Sequence, residues 1–179
     1  MEGVIYQHTV ETFIARVLLR RGLLSLEFDR ELRAMGVDAS RPKEMSLELW
    51  TAMLRATAKR MSPGKAPDDA VEELGREMIR GYRDGLVGRG LFVLLRMLGP
   101  RRALLRVKEN FNTGDNVTKV KARELSPTCV ELEFETTSGI PNWSRGILLE
   151  ALQQLKVRDP KVEFRMLPSM ATVFTVSWA

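Results

Sequence analysis

The sequence predicts an α+β fold: an N-terminal helical region followed by a ββαββ unit that forms a four-stranded antiparallel sheet. Three observations carry this reading. Apolar residues recur at helical spacing from Thr9 to about residue 108, and after Asn116 the period falls to two. Breakers rich in Gly and Pro separate the periodic runs at Gly22, Gly36, Ser62–Lys65 and Gly99-Pro100. Beyond residue 116, two short hairpin-like pairs flank one further helical stretch.

The elements follow in order. Val4 to Gln7 reads as a short strand or a lead-in. Thr9 is expected to cap a first helix whose stripe is Val10, Phe13, Ile14, Val17 and Leu18, ended by Gly22. A second helix runs from about Ser25 to Met35 and stops at Gly36. Ser46 is expected to cap the third, with Trp50, Met53, Leu54, Ala58 and Met61 on one face. The fourth carries Asp68 and Asp69 in its first turn, where the helix dipole favours acids, and buries Val71, Leu74, Met78, Ile79 and Tyr82. A fifth runs to Leu98. Gly99-Pro100 then opens a sixth, with proline near its first position.

In the second part, Val120 and Ala122 alternate with Lys119, Lys121 and Arg123. Val130, Leu132 and Phe134 alternate with Glu131, Glu133 and Glu135. A Lys/Lys/Arg row beside a Glu/Glu/Glu row fits the wet face of an antiparallel hairpin turned at Ser126-Pro127-Thr128. A helix from about Asn142 to Leu155 follows, with Leu148, Leu152 and Leu155 as its seam. The last hairpin is expected to point Val162, Phe164 and Met166 inward from one strand and Phe174, Val176 and Trp178 from the other. One domain spanning 1–179 is expected, mainly helical over 1–115 and ββαββ over 116–179.

The 179 residues are 44% hydrophobic and 28% charged, the balance of a soluble protein with its own core. The longest apolar runs, such as Leu91 to Leu95, span no bilayer, and the first residues lack a secretory pattern, so a cytoplasmic protein is expected. One cysteine, Cys129, excludes an internal disulfide or a multi-cysteine metal site. One histidine, His8, leaves no triad or histidine-rich centre, and neither a phosphate loop nor a dinucleotide fingerprint is present. No cofactor is expected, and no enzyme. The one arrangement that would suit catalysis joins Tyr82, Arg101 and Arg102 with the turn Asn110-Phe-Asn-Thr-Gly-Asp-Asn116.

Net charge is +5, all of it in residues 1–110. No acid lies between Asp84 and Glu109, whereas Arg89, Arg96, Arg101, Arg102, Arg106 and Lys108 do. A DNA-recognition helix carries polar base readers beside its arginines. Leu104, Leu105 and Val107 instead require a buried face, so no specific nucleic acid is expected. The same amphipathic pattern suits a membrane surface.

Leu32-Arg-Ala-Met-Gly-Val-Asp38, Arg41-Pro42, Trp50, Pro63-Gly64, Glu73-Leu-Gly-Arg76, Gly81-Tyr82, Gly88-Arg-Gly90, Leu98-Gly-Pro-Arg-Arg-Ala-Leu104 and Asn110 to Asn116 stand in an order that resembles an uncharacterised paralogous family expanded in myxobacteria. The resemblance runs through Gly146 to Trp178 and implies a lineage rather than a mechanism. The layout of helices then ββαββ is also similar to the haem-nitric-oxide-binding and four-vinyl-reductase ligand-binding domains. That analogy implies a pocket between helices and sheet. The haem group's mid-chain histidine and Tyr-x-Ser-x-Arg motif are missing, since residues 142–146 read Asn-Trp-Ser-Arg-Gly, and one cysteine cannot make the zinc site of the other group.

The resulting expectation is a non-catalytic regulatory or sensory module that takes a small hydrophobic ligand between helices and sheet or docks onto a signalling protein. The candidate ligand residues are Met53, Met78, Tyr82, Met97, Arg101, Arg102, Asn110, Asn112 and Asn116. The alternative is an adaptor or homodimeric interaction module with no small-molecule ligand.

Overall fold

The computed structural model describes residues 3–107, 114–135, 140–169 and 171–179. Strand β1 (Val4–Ile5) pairs antiparallel with β2 (Met45–Ser46), a partner that sequence periodicity does not reveal. Helix α1 (Gln7–Phe13) starts at Gln7 rather than after Thr9, and continues as a π-helical segment over Ile14–Leu19. The Thr9 hydroxyl, expected as a cap, donates instead to the Gly114 carbonyl at 2.9 Å. Next come α2 (Leu26–Ala34) and α3 (Leu47–Met61), whose caps Ser25 and Ser46 accept from the Phe28 and Leu49 N–H groups. They are followed by α4 (Pro67–Asp84), α5 (Leu86–Leu98) and α6 (Pro100–Leu105). Gly99, at φ +78°, makes the corner between α5 and α6 that an L side chain would strain.

The sheet is antiparallel throughout, in the order β3 (Val120–Ser126), β4 (Cys129–Phe134), β6 (Thr172–Ser177), β5 (Lys161–Met166). Lys121 faces Glu133 and Arg123 faces Glu131, with ion pairs at 3.2 and 2.9 Å, as the charge rows require. Helix α7 (Pro141–Gln154) covers the other face. Phe174 in the central strand β6 packs against Phe134 and Phe164, with ring centroids 5.1 and 5.7 Å apart. Met166, expected inward, is about half exposed, because it is the last residue of β5, which is an edge strand with a neighbour on one side only.

Two apolar clusters result. The helical one is centred on Phe13, Trp50, Met53, Leu54 and Leu74, and the sheet cluster on Leu132, Phe134, Leu148, Leu152 and Phe174. Helix α7 belongs to both. Trp143 in its first turn joins Phe13 and Trp50 in an edge-to-face triad, while Leu148, Leu149 and Leu152 lie on the sheet. The crossing of α7 on α4 is lined by glycine on both sides. A Cβ on Gly146 would overlap the Glu72 carbonyl oxygen, and one on Gly75 the Trp143 carbonyl oxygen. Gly81 does the same against the Arg16 carbonyl of the π-helical segment. These are backbone-to-backbone approaches that only glycine permits.

The polar turn at its described end is a fastener. Gly114 accepts from the Tyr6 N–H at 3.1 Å, and Asn116 Oδ1 accepts from the Val4 N–H at 2.8 Å. Asp115 Oδ1 accepts from the Val117 and Thr118 N–H groups. The N-terminal strand is thereby tied to the entry of the sheet.

A smaller turn yields a first prediction. The Ser40 hydroxyl and N–H both donate to Asp38, which also pairs with Arg33, and these interactions hold its carboxyl below the ordinary carboxylate value. The stabilisation this supplies is complete above the ordinary carboxylate range and is lost as pH falls through the lowered folded value. Ser40→Ala should move the Asp38 midpoint upward in a carbon-detected NMR titration. An unmoved midpoint would show that Ser40 does not set it.

Candidate functional site

Helix α5 is built to be buried and is not. Its sequence, LVGRGLFVLLRML, is apolar on nearly every side, a pattern that normally marks an internal helix. Yet within it only Gly88 and Phe92 are buried. Gly88 lies against the Tyr82 carbonyl, which lets α5 fold back close on α4. On the other side Leu86, Val87, Val93, Leu94 and Met97 face solvent, with Leu86 at 88% and Met97 at 81% exposure. At 3.6 residues per turn these positions form one stripe along roughly a third of the helix surface. These exposed side chains are contiguous rather than scattered singly over the surface.

Positive charge borders the stripe. Arg89 donates to the Asp84 backbone carbonyl at 3.0 Å and Arg96 to the Gln154 carbonyl at 2.7 Å, so both are oriented while keeping their charge. Arg102 and Arg106 on and just after α6 are exposed, and Arg101 pairs with Glu124 on the sheet at 2.8 Å. The short α6 also inserts Ala103 and Leu104 beneath this rim.

A second polar region lies on α4. Glu77, only 3% exposed, receives Arg20 and, at 3.5 Å, Arg80, with Arg21 3.9 Å away. Arg80 also meets Glu73 at 2.8 Å and Glu150, itself 2% exposed, at 3.0 Å. Burial alone would lower the Arg80 guanidinium, but its hydrogen bonds and charge pairing with Glu73 and Glu150 outweigh it and hold it above its ordinary value. Arg20 is raised in the same way: burial lowers it, and Asp84 with Glu77 more than compensates. Beside this network lies an open cleft of about 460 Å³, lined by Lys65, Asp69, Glu72, Glu73, Arg76, Arg80, Arg145 and Gln153. Arg76 and Arg145 both meet Glu72, and Arg145 further donates to the Val162 carbonyl at 2.8 Å. With these three arginines committed to carboxylates, the cleft is a balanced structural seam that locks α4 to α7 and the sheet edge.

The nine residues singled out from the sequence fall in different places. Met53 is fully buried in the helical cluster and Met78 packs partly against it. Tyr82 is half-buried, near the end of α4. Met97, Arg101 and Arg102 belong to the α5–α6 face. Asn116 holds the N-terminal strand, and Asn110 and Asn112 lie outside the described residues. The exposed Leu86, Val87, Val93 and Leu94 were not among them. Their signal was present: a helix apolar on all but its arginine edge leaves one side in need of a cover.

Structural comparison places the chain on a known frame. A T. Tengcongensis H-NOX variant superposes with a TM-score of 0.68 at 13% identity, covering 97% of each chain. Another Tt H-NOX variant reaches a TM-score of 0.71 at 13% identity, covering 97% of this chain and 95% of that one. An oxygen-binding H-NOX domain related to soluble guanylate cyclases, in its oxygen complex, gives 0.68 at 13% identity with the same coverage. At such low identities, these TM-scores establish a shared fold alone. No curated protein matches the sequence. The family described as Protein of unknown function (DUF2378) matches residues 3–179.

A neighbour of this fold concerns haem redox potential and porphyrin distortion. A histidine-held haem does not fit here. The chain's single histidine, His8, is exposed in the first turn of α1, its ring 6.0 Å from that of Tyr6. Among the described residues no group of three or more His, Cys, Asp or Glu is placed to hold a metal ion.

Proposed function

The chain belongs to the Protein of unknown function (DUF2378) family, and from that premise we propose a non-catalytic regulatory module that works by docking through its α5–α6 face. One observation carries this reading: five large apolar side chains stand exposed in a single helical stripe beside arginines that form no ion pair among the described residues. In the proposed arrangement the helical region 1–115 and the ββαββ unit 116–179 act as one domain. The α4–α7 crossing supports the rigid surface on which α5 is displayed. Met97, Arg101 and Arg102 are contact residues of that surface.

A photo-crosslinking side chain at Met97, in cells producing the protein, should capture a lipid or protein that the same group at Leu26 does not. Leu26 is comparably exposed on α2 but lies outside the stripe. Equal capture at both positions, or none at either, ends the docking reading.

A second reading is favoured by the frame shared with an oxygen-binding H-NOX domain. Here the module senses a small apolar molecule held between helices and sheet, with Met53, Met78 and Tyr82 on the helical side, Met97, Arg101 and Arg102 at its edge, and Asn116 on its polar rim. Native mass spectrometry of the purified chain should then show a bound adduct that denaturation releases. The bare polypeptide mass under both conditions counts against it.

A further inference from the structure

We propose that the partner of the α5–α6 face is the surface of an anionic lipid bilayer. This deepens the docking reading and rests on it. The stripe is aliphatic along its length, Leu86, Val87, Val93, Leu94 and Met97, and aromatic residues are absent from it. Such a face enters the boundary between headgroups and acyl chains, each side chain shedding water as it does. The arginines lie where headgroup phosphates would meet them. Arg89 and Arg96 run along one edge of α5, held by backbone carbonyls and without an ion pair among the described residues. Arg102 and Arg106 extend the basic rim beyond the Gly99-Pro100 corner.

The segment from Gly85 to Val107 contains five arginines and no acid, and of the five only Arg101 meets a carboxylate, that of Glu124, among the described residues. Guanidinium groups bind phosphate oxygens in bidentate geometry. A second copy of this chain is a poor match for the same surface. A two-fold contact with the two α5 helices antiparallel through the stripe would place each rim of arginines against its own equivalent, with like charges opposed in a partly dehydrated interface. A bilayer of anionic lipid satisfies both halves of the surface at once, the aliphatic stripe and the basic rim.

The test uses the full chain with vesicles of phosphatidylcholine alone or mixed with phosphatidylglycerol, read by co-sedimentation. It is repeated with a polarity-sensitive dye on Met97→Cys in a Cys129→Ser background. Wild type should partition onto the anionic vesicles and not the neutral ones, with binding falling as ionic strength rises. Leu94→Asp should lower partitioning by about tenfold or more through the lost apolar contact and the added charge. Arg102→Glu should lower it by roughly tenfold or more. Both positions are exposed, so neither change perturbs the core. The dye should shift toward apolar emission only with anionic vesicles.

Equal binding to both vesicle types, or none to either while the dye stays solvated, overturns the lipid assignment and leaves the docking surface standing. Concentration-dependent self-association that shields the dye without lipid also overturns it, in favour of a second copy. A dye already in apolar surroundings in the monomer would remove the docking reading itself.

Discussion

Gly146→Ala should destabilise the protein by about 2–4 kcal/mol, with much of its effect reaching both halves of the fold. For a chain of this length that corresponds to a fall in Tm of roughly 4–15 °C. The obstacle is backbone. A methyl group at position 146 meets the Glu72 carbonyl oxygen and, close by, the Arg76 N–H nitrogen, neither of which can rotate aside. Relief requires α4 and α7 to separate, and α7 carries both Trp143 of the helical cluster and Leu148 and Leu152 of the sheet cluster. Separation also stretches the Arg145–Glu72 pair.

Gly90→Ala is the control. Nothing lies within 4 Å of a Cβ there, and alanine in an open helical position should stabilise by about 0.5–1 kcal/mol. Gly75→Ala should resemble Gly146→Ala, and the two together should cost less than their sum, since the first change already splays the crossing. Thermal unfolding followed by circular dichroism measures all four. A Gly146→Ala protein with wild-type Tm would mean that the two helices do not cross as described.

Glu77→Ala should cost about 2–4 kcal/mol in chemical denaturation. Removing one carboxylate leaves Arg20 and Arg80 beside a buried, uncompensated site. Both guanidinium groups keep about a third of their surface in water, which places the loss in the lower part of the range for buried pairs. Arg80 retains Glu73 and Glu150, and Arg20 retains Asp84, so the network is weakened rather than dissolved. Glu77→Gln should cost less, because the amide oxygen still accepts from the arginines. Arg20→Ala added to Glu77→Ala should recover part of the loss, a positive coupling that a double-mutant cycle reads directly. By contrast Glu27→Gln, which breaks only an exposed pair with Arg60, should have little effect. If Glu77→Ala and Glu27→Gln proved equally mild, the buried network would not be a structural joint.

Much of the fold was legible because local rules act on neighbouring residues. Ser46 announces a helix start by its short hydroxyl side chain and caps as expected, and Ser25, read only as the approximate start of the second helix, caps that helix too. The Lys121 and Arg123 row beside the Glu131 and Glu133 row marked the wet face of the β3–β4 hairpin, since a one-residue slip would turn every charge toward the core. Thr9 failed as a cap because a tertiary hydrogen bond to Gly114 claimed its hydroxyl. The central place of β6 was not legible, since alternation along a strand does not say which strands flank it. The candidate site was legible only in part: Met97, Arg101 and Arg102 stood out by type, but their neighbours in the exposed stripe did not.

The amino-acid order alone determined the succession of helices and strands, the antiparallel hairpins and the concentration of positive charge between Asp84 and Glu109. Periodicity, capping and breakers operate over a few residues and need no distant partner. The tertiary structure decided what each face meets. It brought Gly75 and Gly146 into one crossing, enclosed Glu77 among arginines from two segments, and left an aliphatic side of α5 uncovered. Hydrophobic pattern records which side chains gain by leaving water, whereas the surface that receives them is assembled only when remote segments pack together.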